Sequence, residues 1–306
     1  MALQQELEKL RMLFNPHWAP GMGTKRALEL QIGWQLDPGI RRKDSPNEDS
    51  LFVEQGTIPR LSGSSSSFAL FVVADGMGGL AHGREASQTA GQVLISSLQK
   101  ALSSFQQRQA TFLFLLKAGV ESANLVLYQR NQEQRTGMGT TMTAVLVIGS
   151  TAYVAHVGDS RLYLSHPPSG LLQITHDHSL VAALVDAGVI GPDDIYTHPY
   201  RNQIYRCLGE KPSVDVELHT LTLIAGDTLL LCSDGLWGMV RDADIARLLA
   251  TSTLSASQTA NELIQAALAG GGEDNVSAIV VRFANTMTKD EKPERGDPVT
   301  RTGKCV

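Results

Sequence analysis

The chain is short of several things. Aromatic residues make up 6% of its 306 residues, cysteines number three, and 26 Lys and Arg are outnumbered by 31 Asp and Glu, for a net charge of −5. A nucleic-acid surface needs cationic stripes and stacking faces, so this composition argues against one. Cys207, Cys232 and Cys305 are widely spaced and odd in number. That argues against a disulfide framework or a cysteine-based zinc site and fits a reducing, cytoplasmic compartment. No apolar run reaches membrane-spanning length, so no membrane partner is expected. The N-terminal MALQQELEKLRMLFNPHWAPGMG lacks the apolar centre of a signal peptide. There is no internal repeat and no G-x-x-x-x-G-K-[ST] phosphate loop.

What is present suits a large globular domain. Hydrophobic residues make up 42% of the chain, enough for a sizeable core. Runs rich in Val, Ile, Leu and Thr predict strands over 28–36, 50–55, 68–74, 141–149, 151–157, 160–164, 214–220, 227–232 and 276–283. Several, such as TAVLVIG, are apolar throughout, as in strands buried on both faces. Helical spacing appears over 84–102, through Ala86, Ala90, Val93, Leu94, Leu98 and Ala101, and over 112–130, through Leu116, Val120, Ala123 and Leu127. Further helices are predicted over 178–187, after an N-cap at Asp242, and over 256–269. Strands joined by tight turns pair antiparallel, and helices arriving in pairs suggest outer layers. Residues 1–27 read as an N-terminal extension and 285–306, polar and proline-containing, as a disordered tail.

The chemistry lies in acids at strand ends. Glu48 and Asp49 precede one strand, and Asp75 ends the next, in LFVVADGMGG. Asp159 occupies a turn, Asp234 ends a strand, and Asp274 begins one. In antiparallel sheets the start of one strand lies beside the end of its neighbour, so these acids can gather on one rim. Clustered carboxylates repel one another and need compensation. Oxygen donors suit hard cations such as Mg²⁺ or Mn²⁺. Gly76 leaves its carbonyl open to such an ion, which makes Asp75 the candidate bridge between two of them.

NED, ADGMGG, GMGTTMTAVLV, VGDSRLYL, THDHSLV, SDGLW and EDNVSAIVV stand in the order found in metal-dependent serine/threonine protein phosphatases of type 2C. The chain resembles a bacterial-type member of that family over residues 28–284. The resemblance implies an α+β fold, a four-layer α/β/β/α sandwich with two central antiparallel sheets flanked by helix pairs. It implies two core Mg²⁺ or Mn²⁺ ions, with provision for a third. Asp75 would bridge the core ions, the Gly76 carbonyl would bind one, and Asp234 and Asp274 the other. Glu48 and Asp49 would act largely through bound water, and Asp159 with Asp234 would hold the third ion. The reaction would be hydrolysis of phosphoserine and phosphothreonine in proteins by in-line attack of a hydroxide shared by two cations.

A phosphate arginine is expected shortly before NED. Arg42 fits when counted from Gly39, with Arg41 as the alternative. Animal members often carry a histidine two residues after the bridging Asp, where Met77 stands here. Leaving-group protonation would then come from water or from His82. Residues 176–210 resemble the family's flap beside the site. His156, inside an apolar strand, reads as a core histidine, and Arg161 as a brace for the Asp159 turn. The expected partners are phosphoproteins produced by a serine/threonine kinase, with the chain acting as a monomer. The alternative is a catalytically weak member that binds phosphoproteins, which should lack metal acids; none of the main ones is missing.

Overall fold

Every buried strand of this protein divides its side chains between two apolar layers, and three layers result. In strand β5 (Met142–Ile148), Met142, Ala144 and Leu146 face one layer, whereas Val145 and Val147 face another. The same alternation splits β3 (Ser65–Met77), with Leu70 and Val72 on one side and Ala69, Phe71 and Val73 on the other. In β10 (Thr228–Cys232), Leu230 and Cys232 point away from the layer that holds Leu229 and Leu231. Period-two alternation with both faces apolar places each strand between a helix layer and a second sheet.

The computed structural model describes residues 28–59, 65–78, 82–103, 109–166 and 169–285. Two antiparallel sheets stack face to face. One joins β1 (Leu28–Asp37), β11 (Val276–Asn285), β10, β7 (Arg161–His166) and β8 (Gly170–Gln173), in that order. The other runs β2 (Asp49–Pro59), β3, β5, β6 (Thr151–Val157) and β9 (Glu217–Thr222), with the two-residue β4 (Gly139–Thr140) paired to β3. Helices α1 (His82–Ser103) and α2 (Gln109–Gln134) cover the second sheet. Their inward stripes are the expected ones: Ala86, Ala90, Leu94 and Leu98 on α1, and Leu116, Val120, Ala123 and Leu127 on α2, all buried. The first sheet is covered by the short α4 (Asp234–Trp237), α5 (Asp242–Leu249) and α6 (Ala256–Ala269). The result is the four-layer α/β/β/α sandwich. No helix among the described residues is long and apolar enough to cross a membrane.

Some boundaries differ from expectation. The 141–149 run shortens to β5, and β4, which was not predicted, precedes it across Thr141. Asp242 is the first residue of α5 rather than its cap: Arg241 holds the cap position, and the Asp242 carboxylate accepts the Tyr163 hydroxyl at 3.0 Å. Helix α3 (Leu180–Asp186) is shorter than 178–187, because the Ser179 hydroxyl caps its start by accepting the Ala182 N–H. Strand β9 begins at Glu217, later than predicted. The expectations for 1–27 and for 286–306 lie outside the described residues.

Candidate metal centre

Strand pairing brings the first acids together. Asp49 and Asp75 are directly opposite partners across the β2–β3 ladder. The Asp75 backbone is fixed: its N–H donates to Thr141 Oγ1 at 2.9 Å, and its carbonyl accepts from the Thr141 N–H at 2.8 Å and the Thr140 hydroxyl at 2.9 Å. Gly76 follows. A Cβ built there would lie 2.0 Å from the Gly83 carbonyl oxygen, so the close approach of α1 to β3 demands glycine at this position.

The other sheet supplies the second set. Asp234 opens α4 directly after β10, and Asp274 lies just before β11. Because β10 and β11 run antiparallel, these two acids share one rim. Asp159 lies in the link between β6 of one sheet and β7 of the other. A cleft of about 420 Å³ opens on this rim, lined by Arg42, Glu48, Asp75, Asp159, Asp234 and Asp274, with Gly76 and Thr141 on its wall.

Asp49 does not line the cleft. It is 4% exposed, and its Oδ2 accepts hydroxyls from Ser233 at 2.7 Å and Ser277 at 2.8 Å. Its Oδ1 is buried without a partner, as are Glu48 Oε1 and Asp234 Oδ1. Three orphaned carboxylate oxygens at one place are costly. Burial pushes the Asp49 carboxyl up to about 7 despite the two hydroxyls, with Asp234 and Asp274 adding repulsion. Asp274 is raised to about 6 by burial and by Asp234, against the pull of Arg42. Burial, then repulsion from Asp49, Asp234 and Asp159, holds Asp75 well above the ordinary range. Asp159 is raised likewise by burial and by Asp234, and Asp234 by burial. Dense oxygen donors, unpartnered atoms and frustrated ionisation are what a pair of hard divalent cations would relieve, so the residues fit such ions.

The nearest cation is Arg42. Its Nη1 lies 3.2 Å from Glu48 Oε2 and its Nε 2.9 Å from Asp274 Oδ1, with the side chain 41% exposed. Arg41 instead pairs with Glu273 at 3.0 Å and lines a smaller neighbouring cavity with Arg201. Among the described residues no histidine lines the cleft. His82 starts α1 with its Nδ1 buried and unpartnered. Asn202 and Ile204, from the flap segment, reach the cleft wall.

The supporting roles of Asn275 and Trp237 had escaped the sequence reading, whereas Arg161 and His156 had been named in it. Asn275 accepts the Glu48 N–H at 2.8 Å and donates to the Pro38 carbonyl at 2.8 Å, stapling the Arg42 loop to the Asp274 strand. Trp237 Nε1 donates to the Asp159 carbonyl at 2.9 Å. Arg161 acts on that turn through Trp237: it stacks 3.6 Å from the indole and forks onto the buried Asp177. His156 is fully buried, bonded to Thr143 Oγ1 at 2.9 Å and the His176 carbonyl at 3.1 Å. Burial, and then His178, lower it to about 4. His156, His178 and Glu217 lie close enough together to suggest another metal site. However, both nitrogens of each ring already have partners, and the Arg206 guanidinium sits 2.9 Å from His178 Nε2. The rings are also stacked, so their lone pairs do not converge on one point.

Residues 38–270 match the protein phosphatase 2C family model. The chain is 37% identical over 221 residues to the serine/threonine phosphatase stp of Listeria innocua, spanning 72% of this chain and 86% of that protein. The serine/threonine phosphatase of S. agalactiae superposes with a TM-score of 0.71 at 31% identity, covering 83% of this chain and 99% of that one. The catalytic domain of the phosphatase PstP in complex with two manganese ions gives a TM-score of 0.69 at 33% identity, covering 84% of this chain and 100% of that one.

Proposed function

Because the chain belongs to the protein phosphatase 2C family and is a serine/threonine protein phosphatase, we propose that it hydrolyses phosphoserine and phosphothreonine at the Asp75–Asp234–Asp274 cleft with two Mn²⁺ or Mg²⁺ ions. The carrying observation is the gathering of carboxylates from both sheets on one cleft, where Glu48 and Asp234 each keep a buried oxygen without a partner. Asp75, the Gly76 carbonyl, Asp234 and Asp274 would hold the core ions, and Asp159 with Asp234 a third. Bound there, the cations supply a water activated for in-line attack and positive charge for the phosphoryl oxygens.

The chain's own residues do the rest. Arg42 is oriented by Glu48 and Asp274 with part of its guanidinium open to the cleft. It can turn its planar fork onto two phosphoryl oxygens as charge builds on them. Asp49 lies behind the cleft wall, gripped on Oδ2 by two serine hydroxyls, and its unpartnered Oδ1 would accept from a water only where one is held between it and the ions. As the new P–O bond forms, the bond to the serine or threonine oxygen breaks, and that oxygen takes a proton. With no histidine on the described cleft wall, the proton comes from water held by the carboxylates. The physiological substrates are then phosphoproteins made by a serine/threonine kinase, met in the cytoplasm by a monomeric enzyme.

The test is hydrolysis of an aryl phosphate and a phosphothreonine peptide with Mn²⁺, Mg²⁺ or a chelator. Turnover should require the cation and should vanish in Asp75→Asn and Asp234→Asn while far-UV circular dichroism is unchanged. Near-parental turnover in either variant would remove the assignment. Tight phosphopeptide binding without turnover in the metal-loaded parent would favour the binding-module reading instead.

A further inference from the structure

The turn carrying Asp159 is held from several sides. Gly158 adopts a left-handed φ of +113°, and a Cβ there would lie 2.6 Å from the Thr141 side chain. Ser160 Oγ lies 2.7 Å from Thr141 Oγ1, and the Ser160 carbonyl accepts the Thr143 hydroxyl at 2.9 Å. Trp237 holds the Asp159 carbonyl. The remaining grip belongs to one residue. His178 donates its backbone N–H to the Gly158 carbonyl at 2.7 Å, and its Nδ1 accepts the Gly158 N–H at 2.9 Å. It therefore clasps both polar groups of the residue just before Asp159.

The other end of His178 belongs to the flap. It lies just before α3, at the outgoing stem of that segment. The returning stem comes back to it: the Tyr205 N–H donates to the His178 carbonyl at 2.9 Å, and the Tyr205 ring centroid is 6.0 Å from the imidazole. Arg206 Nη1 sits 2.9 Å from Nε2, and Glu217 Oε2 of β9 lies 3.2 Å from the same nitrogen. Since Nδ1 accepts from Gly158, Nε2 carries the ring proton toward Glu217. The side chain is only 4% exposed, so it does not touch substrate.

We propose that His178 is a positioning residue that ties both stems of the flap to the Asp159 turn, so that flap placement sets how well Asp159 engages its cation. The inference rests on the reading of Asp159 as the acid for a third ion. It assigns His178 an action through Asp159 rather than general support of the fold. Chemistry distinguishes its two ends. The side-chain oxygen of asparagine can stand where Nδ1 stands and accept the Gly158 N–H. Glutamine reaches the Nε2 position and preserves only the outer contact.

The experiment is hydrolysis of p-nitrophenyl phosphate by the full chain across a Mn²⁺ titration. It compares the parent, Asp159→Ala, His178→Ala, His178→Asn, His178→Gln and the Asp159→Ala/His178→Ala pair, each with its thermal midpoint. Asp159→Ala and His178→Ala should each raise the half-activating Mn²⁺ concentration about tenfold or more, the usual scale for outer partners of a metal ligand. The double variant should match Asp159→Ala within about twofold, because residues acting through one element are not additive. His178→Asn should recover most of the parental curve, and His178→Gln should not. Multiplicative effects in the double variant, equal rescue by Gln and Asn, or a lowered midpoint with an unmoved Mn²⁺ curve each overturn the role of His178. An unmoved curve in Asp159→Ala refutes the third-ion reading and the inference with it, a result separable from failure of His178 alone. If His178→Ala does not fold, the Asn and Gln pair decides.

Discussion

In the metal-free protein, Asp49→Asn should stabilise the fold at neutral pH. The Asp49 carboxyl is raised from an ordinary 3.8 to about 7 by burial, with neighbouring acids adding to it. A carboxyl whose folded value is raised favours the fold when protonated. That contribution is complete below about pH 4 and is lost as pH climbs toward the folded value. At pH 7.5, holding Asp49 ionised costs about 4 kcal/mol, since each unit of displacement is worth about 1.4 kcal/mol. Asparagine keeps the shape and can accept both serine hydroxyls through its oxygen without carrying the charge. For a domain of this size the gain is on the order of 10 °C in melting temperature. The assay is thermal unfolding of parent and variant in a chelator at pH 4, 5.5 and 7.5. The two should melt together at pH 4 and diverge in favour of Asn as pH rises. Buried His156 titrates with the opposite sign, its value lowered to about 4, but it is common to both proteins and cancels. Saturating Mn²⁺ should erase or reverse the advantage, because the cation neutralises the acids in the parent. A variant that melts below the parent at pH 7.5 in chelator would refute the electrostatic account.

Other consequences are simpler to test. Arg42→Ala should raise KM for phosphate esters by tenfold or so, the worth of a charge-assisted fork, whereas Arg41→Ala should leave KM within about twofold of the parent, as expected of an exposed ion pair. Steady-state kinetics decides between them, and the reverse order would move the phosphate site to Arg41. Gly76→Ala should lower both melting temperature and Mn²⁺ affinity, because its Cβ meets backbone rather than a movable side chain; an unperturbed variant would contradict that packing. Leu116→Ala, in the α2 layer at 0% exposure, should cost about 2–5 kcal/mol in denaturant unfolding with little change in the Mn²⁺ titration.

Much of this architecture was readable from local pattern. The two helix stripes over the second sheet, and strands such as β5 with both faces apolar, follow from spacing alone. The acids were readable too, because turn residues mark the strand ends where each one sits. What escaped were partners joined only by tertiary register. Ser233 and Ser277 look like ordinary small residues, and nothing local links them to Asp49, 184 and 228 positions away. Asp242 misled because aspartate favours helix caps, while the buried Tyr163 hydroxyl claims it instead. Strand β8 was missed because its residues, Gly170–Gln173, are few and incompletely buried. His178 lay in a quoted motif, but its clasp on Gly158, 20 positions away, exists only in the folded register.

Asp49 and Asp75 come from one sheet and Asp234 and Asp274 from the other. On the proposed assignment, a chain that has assembled either half of its sandwich would own an incomplete set of donors and could not work at partial capacity. Activity becomes an all-or-nothing report on the closed interior. Bound there, the proposed ions would act as a rivet at the seam where the acids otherwise prise the halves apart.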